Sequence, residues 1–235
     1  MGGCYGVSRS TIAEASHRKA DFIDISGLKV KENNNINVGS VSYQKLYLQS
    51  GYVSENILQL DFKKLVSLPD GLDLAEWIAS NIGFFKQINI FSSAMSEFCT
   101  GTSCPVTDAA GNKIYYWHDE QGKKLKCSAP LYTDYAMSYI QELLEDENVF
   151  PTKIGSTFPP GFIFMAQKIF LYLFHILAHF YWAHFQEIAR LELHPHLNTL
   201  YFHFISFSQE FKLLEPQETA IMDELSRALL KHNLC

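Results

Sequence analysis

From Gly161 to Phe185 the chain consists almost entirely of apolar and aromatic side chains. A stretch of that character must be hidden from water around its whole circumference. That leaves a membrane span or the central rod of a helical bundle. Gln167, Lys168, His175, His179 and His184 interrupt it, and three histidines in lipid would have no hydrogen-bond partners. The segment therefore predicts a buried central helix rather than a transmembrane one.

The rest of the chain can surround such a helix. Its 235 residues are 47% apolar and 14% aromatic, enough for one domain with appendages. The net charge of −6 is unevenly spread. Residues 1–66 hold eight Lys/Arg against six Asp/Glu, and residues 67–235 hold eleven against nineteen. An acidic folded part disfavours nucleic acid, which needs a basic footprint, and suits basic protein segments. Five scattered cysteines and a polar start at Met1–Ser10 point to a reducing cytoplasm or nucleus, not to a secreted disulfide framework.

Helical signals dominate from residue 56 onward, while residues 1–55 lack sustained periodicity and read as a variable, disordered or loosely docked tail. Asp73 is placed to cap a helix bearing Leu74, Trp77, Ile78, Ile82 and Phe85. Ile114–Trp117 and Lys123–Cys127 predict a β-hairpin across His118–Gly122. Asp134 is read as the start of a helix through Leu144. Pro151, Pro159 and Pro160 mark a loop before the central helix, which Pro195 is expected to end. Two helices follow, over 197–211 and 217–231, the second with Pro216 in its first turn. The expected fold class is mainly α, a helical bundle with one β-hairpin.

Four soft ligands stand out. Cys99 and Cys104 flank Thr100-Gly101-Thr102-Ser103, and His179 and His184 lie about eighty residues downstream. Two thiolates and two neutral imidazoles would complete a tetrahedral zinc shell and make the ion structural. Regular helix geometry instead nominates His175 with His179, four apart on one face, because a five-residue step turns His184 roughly 140° away. Only a π-bulge or unwinding between Phe180 and His184 would join the later pair. His194, His196 and His203 are further candidates. A catalytic metal lacks support, since Ile176 stands where H-E-x-x-H needs Glu, and no phosphate-binding or nucleophile-elbow motif is present.

Taken together, D-L-A-E-W-I-A-S-N (73–81), F-F-K-Q-I-N (84–89), E-F-C-T-G-T-S-C (97–104), K-C-S-A-P-L-Y (126–132), V-F-P-T-K-I-G (149–155), L-A-H-F-Y-W-A-H-F (177–185) and H-L-N-T-L-Y (196–201) resemble the Mob family of kinase co-activators. Y-Y-W-H-D-E-Q-G-K-K (115–124) and P-Q-E-T-A-I-M-D (216–223) resemble its type-two branch, which associates with NDR kinases. The likeness runs from about Leu58 to the C-terminus. It implies a Mob/phocein-like bundle with one structural zinc on Cys99, Cys104, His179 and His184, and hence a local distortion of the central helix. It also implies a non-enzymatic adaptor that binds the basic N-terminal regulatory region of NDR/LATS-type kinases in Hippo/NDR signalling. The matching surface is Asp73, Glu76, Trp77, Phe84, Phe85 and Gln87, where a carboxylate beside aromatic rings suits a basic, partly apolar partner.

Two departures qualify that likeness. The step from Trp77 to Phe84-Phe85 is one residue shorter than in the family, a phase change of about 100°. Relatives that dock phosphothreonine peptides carry basic side chains where this chain has Leu171, Tyr172 and His175, and Leu and Tyr cannot neutralise a phosphate. Phosphopeptide docking is therefore not expected. The rival readings are a Mob-fold scaffold that no longer engages NDR kinases and a zinc hydrolase. Finally, Met1-Gly2-Gly3-Cys4 offers Gly2 for myristate and Cys4 for palmitate, although Gly6 stands where Ser or Thr is preferred. A lipidated tail would bring peripheral membrane association.

Overall fold

The computed structural model describes residues 45–57, 61–153 and 156–233. Gly2 and Cys4 lie outside the described residues. In chain order the elements are α1 (Ser50–Val53), α2 (Phe62–Val66), α3 (Leu74–Asn81), α4 (Phe84–Ala94), β1 (Asp108–Ala109), β2 (Lys113–Ile114), β3 (Trp117–His118), β4 (Lys124–Leu125), α5 (Ala129–Glu145), α6 (Phe162–Ala183), α7 (Phe185–Arg190), α8 (His194–Glu210), α9 (Pro216–Thr219) and α10 (Asp223–Asn233). The architecture is a helical bundle with a small β3–β4 hairpin, in the register Trp117↔Leu125 and His118↔Lys124. A second antiparallel ladder joins β1 to β2.

The apolar segment forms α6. Gly161 precedes it with φ 87°, a left-handed conformation that costs a residue with a side chain roughly 1–2 kcal/mol. Glycine thus lets the chain swing from the Pro159-Pro160 loop into the helix. Nearly every α6 side chain from Ile169 to Tyr181 is buried. Phe170 stacks on Phe204 and Phe207 of α8, with centroids 5.2 and 5.8 Å apart. α3, α4, α5 and β1 pack against other faces. By length and composition this helix is apolar enough to cross a membrane, yet its rings are packed against neighbouring helices.

Four sequence expectations are corrected. First, residues 45–55, which the sequence assigns to the tail, are packed on the bundle. A 3-10 turn at Leu46–Leu48 and α1 dock on the bundle, with Tyr47 edge-on to Tyr181 and Phe185 at 5.5 and 5.8 Å. Asn198 fastens this segment, donating to the carbonyls of Tyr52 and Glu55 at 2.8 and 3.0 Å. Elements this short have too few turns for a hydrophobic period to register.

Second, α5 starts at Ala129, with Pro130 in its first turn, so Asp134 lies inside the helix rather than at its cap. Third, Pro195 does not end the central helix; it opens α8. Proline lacks the N–H that a first turn leaves unpaired anyway, so it fits either role. Fourth, Gln217–Lys231 is divided into α9, a 3-10 turn at Ala220–Met222 and α10.

The cap at Asp73 is as expected. Its carboxylate accepts from the N–H groups of Ala75 and Glu76 at 2.8 and 3.4 Å, satisfying donors the helix leaves free. The helix it starts is shorter than the sequence suggests. α3 ends at Asn81, and the Phe85 N–H bonds the Ile82 carbonyl at 2.9 Å to begin α4.

Candidate metal centre

Each half of the site is built by a local device. After α4 the chain continues in one helix-like turn, the Cys99 N–H bonding the Met95 carbonyl at 2.8 Å. It then folds back through Thr100–Ser103. The Ser103 hydroxyl accepts from the Thr100 N–H at 2.9 Å and donates to the Phe98 carbonyl. The Cys104 N–H reaches the Thr100 carbonyl at 2.9 Å, and the Cys104 carbonyl accepts from Ala129 at 3.0 Å. Both sulfurs are thereby held on one side of a tight loop seated on the start of α5.

The second half is the interruption of the long helix. His184 has φ −125° and ψ 8°, closing α6 and opening α7. Its N–H still bonds the Phe180 carbonyl, while its own carbonyl accepts from Ile188, both at 3.0 Å. The break brings the imidazoles of His179 and His184 to a centroid distance of 5.2 Å, which a continuous helix would prevent. The sequence expectation of a local distortion is met at that residue.

The two halves converge. One ligand atom from each of Cys99, Cys104, His179 and His184 lies within 4.8 Å of every other, and all four residues are buried. Cys99 Sγ is 3.7 Å from His179 Nε2, and Cys104 Sγ is 3.3 Å from His184 Nε2. His175, which regular geometry had nominated, is not among them. Its Nδ1 pairs with the Tyr132 hydroxyl at 2.6 Å and its ring stacks on Tyr115. His194 pairs with Glu55 at 2.8 Å, and His203 lies edge-on to Phe84.

The donor chemistry fits a metal ion. Burial holds the pKa of both imidazoles below the usual histidine range, that of His184 at about 4. Both rings are therefore neutral at pH 7 and have a lone pair to give. Burial, with Cys104 alongside, pushes the Cys99 thiol up to about 12, so deprotonating it requires a cation nearby. A shell of four protein ligands leaves no tetrahedral position for an activated water.

Sequence reasoning missed Asp108, the outer partner of this site. Its main-chain carbonyl accepts from His179 Nδ1 at 2.8 Å, and its carboxylate accepts from the Trp182 indole at 3.2 Å. An adjacent Asp was visible in the sequence, but nothing there marked which backbone carbonyl would meet the histidine.

The residues read as a docking surface lie along α3 and the start of α4. Asp73, Glu76 and Gln87 are exposed, and Trp77 and Phe85 are half-buried. Trp77 donates its indole N–H to the Val66 carbonyl at 3.2 Å. Phe84 is corrected to a core residue, 4% exposed and edge-on to Phe170 and Phe204. Asp73 and Glu76 also edge an open cavity of about 540 Å³ shared with Phe158, Pro159, Phe162 and Ile163.

Comparison with known proteins agrees with this construction. Residues 54–222 match the model of the Mob1/phocein family. MOB kinase activator 2 of Mus musculus is 54% identical over 187 residues, which is 79% of this chain and 79% of that protein. MOB kinase activator 2 of Homo sapiens is equally identical over 187 residues, 79% of this chain and 78% of that protein. MOB kinase activator-like 2 of Drosophila melanogaster is 42% identical over 186 residues, 79% of this chain and 33% of that longer protein. The chain belongs to the Mob1/phocein family. Within that family it falls in the type-two branch.

Proposed function

We propose that this chain is a non-enzymatic, zinc-stabilised adaptor that binds the N-terminal regulatory region of an NDR/LATS-type kinase and modulates that kinase. The observation carrying the reading is the 54% identity to proteins named MOB kinase activator 2 across most of both chains. The acidic balance of residues 67–235 and the exposed Asp73 and Glu76 beside half-buried Trp77 and Phe85 supply a surface suited to a basic amphipathic segment. Zinc suits two thiolates and two imidazoles better than other common cations. It would tie the loop after α4 to the α6–α7 junction.

Capture of the purified kinase N-terminal segment tests the reading. Glu76→Lys reverses an exposed charge and should reduce capture at least tenfold. Full retention would reject this face. Elemental analysis tests the ion, with one zinc per chain expected. The tail keeps its separate reading as a variable segment, and lipidation at Gly2 and Cys4 would add a membrane-associated pool to a cytoplasmic and nuclear one. Labelling with a myristate analogue that survives Gly2→Ala unchanged would reject that anchor.

A further inference from the structure

Between the β3–β4 turn and the outer face of α5 lies an open pocket of about 430 Å³, away from both surfaces already described. Trp117, Tyr135 and Tyr139 form its walls, while Asp119, Glu120 and Glu142 stand at its rim. The Trp117 ring is 5.6 Å from Tyr135 and 6.3 Å from Tyr139, centroid to centroid, and inclined to each by 45° and 75°. Trp117 thus packs against both tyrosines, and against Tyr172 at 4.8 Å, so the rings form one continuous aromatic wall along the open side of the pocket. Asp119 braces the turn, its carboxylate accepting from Gln121 and Lys123 N–H groups at 3.0 and 2.8 Å. Among the described residues neither Glu120 nor Glu142 forms an ion pair.

The pocket already holds one cation of the chain's own. The Lys168 ammonium sits 4.5 Å from the centre of the Tyr139 ring and 5.8 Å from that of Tyr172. Among the described residues it has no carboxylate within salt-bridge reach. The aromatic walls therefore take a positive charge in this geometry, and three carboxylates against one lysine leave the pocket short of positive charge.

We infer that this pocket seats an arginine side chain of a partner protein. Arginine fits because its planar guanidinium can lie against Trp117 and Tyr135 while its N–H fork reaches Glu120 or Glu142. An anion is disfavoured by the three carboxylates. Lys168 competes with the incoming cation, either for the same ring faces or by repulsion across the pocket. This inference does not depend on the kinase reading, since none of its residues belongs to the α3–α4 surface.

The test is a titration of the full-length, metal-loaded protein with a short peptide whose only charged side chains are two arginines, against the same peptide with citrulline in their place. The readout is the indole N–H resonance of Trp117 in a nitrogen–proton NMR spectrum, assigned with Trp117→Phe. The arginine peptide should shift the Trp117 signal and leave those of Trp77 and Trp182 in place, while the citrulline peptide leaves all three. Glu142→Gln, an exposed change that keeps the fold, should weaken binding about five- to tenfold. Lys168→Met should tighten it about threefold. The proposal is overturned if citrulline binds as well as arginine, if Lys168→Met weakens binding, or if a phosphothreonine peptide shifts Trp117 and the arginine peptide does not. Glu76→Lys should leave this titration unchanged, so failure of the kinase reading and failure of this one are distinguishable.

Discussion

His179 donates its Nδ1–H to the backbone carbonyl of Asp108 at 2.8 Å, and that bond decides which nitrogen faces the sulfurs. A carbonyl can only accept, so Nδ1 carries the proton and Nε2 offers its lone pair toward Cys99. Asp108 adds a carboxylate, its Oδ1 lying 3.4 Å from the same Nδ1. Asp108→Ala preserves the carbonyl and removes the carboxylate that also receives the Trp182 indole. Metal affinity should fall about tenfold, at the low end for loss of an outer partner, as read by competition with a chromophoric chelator. Unchanged affinity would assign the whole orienting effect to the main chain.

The metal shell joins segments eighty residues apart, so its loss should loosen the loop after α4 and the α6–α7 junction together. Cys104→Ser, or exhaustive chelation, should lower the thermal midpoint by about 10 °C, given roughly 2–4 °C per kcal/mol for a domain of this size. The two treatments should not add. A chelator-insensitive melt would mean that the four side chains are held by packing alone.

How far this site could be read from sequence depended on the step in question. The residue types and the overall bundle were legible, because thiols, imidazoles and hydrophobic periodicity are local signals. The choice between His175 and His184 was not. Helix geometry favoured His175, and only the family resemblance pointed to His184. The break that favours His184 is accompanied by Phe185 packing against Tyr47, Tyr52 and Tyr181, contacts between segments that no local pattern reveals. The role of Pro195 was ambiguous for a simpler reason: its missing N–H suits the position after one helix and the first turn of the next.

Asn198 shows how the early segment is held. Its amide donates to two carbonyls in residues 52–55, and its side-chain carbonyl accepts the Tyr181 hydroxyl at 2.9 Å. Asn198→Ala would leave the Glu55 carbonyl and the Tyr181 hydroxyl, in or near the core, without their partner, while the Tyr52 carbonyl keeps the Glu55 N–H. A loss of about 3 kcal/mol is expected from the usual cost of unsatisfied buried groups, measured by denaturant unfolding. Amide exchange over residues 45–57 should accelerate more than exchange in α6. Uniform acceleration would argue that this segment and the bundle open as one unit.

Phe84 and Glu76 lie close in sequence but should respond in opposite ways. Phe84→Ala empties a site among Phe170, Phe204 and Phe207 and should cost about 3–5 kcal/mol. Glu76→Lys changes an exposed side chain and should stay within about 0.5 kcal/mol. Chemical denaturation of both variants checks this. If Phe84→Ala proved neutral, its ring would not be the core element that its burial indicates.

His175 supplies the pH prediction. The ring is buried between Tyr115 and Tyr132; burial, with Lys113 and His118 adding to it, lowers its pKa from 6.5 to about 3. As pH drops below 6.5 the unfolded chain takes up a proton that the folded ring refuses, so this stabilisation is complete above pH 6.5 and declines with acidification toward pH 3. His179 and His184 also titrate on acidification, which makes the wild-type slope a composite. His175→Phe isolates one share of it. The variant should be less stable at pH 7, because the Tyr132 hydroxyl loses its partner. Between pH 7 and 5, however, its unfolding free energy should fall by about 2 kcal/mol less than that of the wild type. Parallel pH profiles would show that the folded ring takes up its proton as readily as the unfolded one, and so is not desolvated as its burial requires.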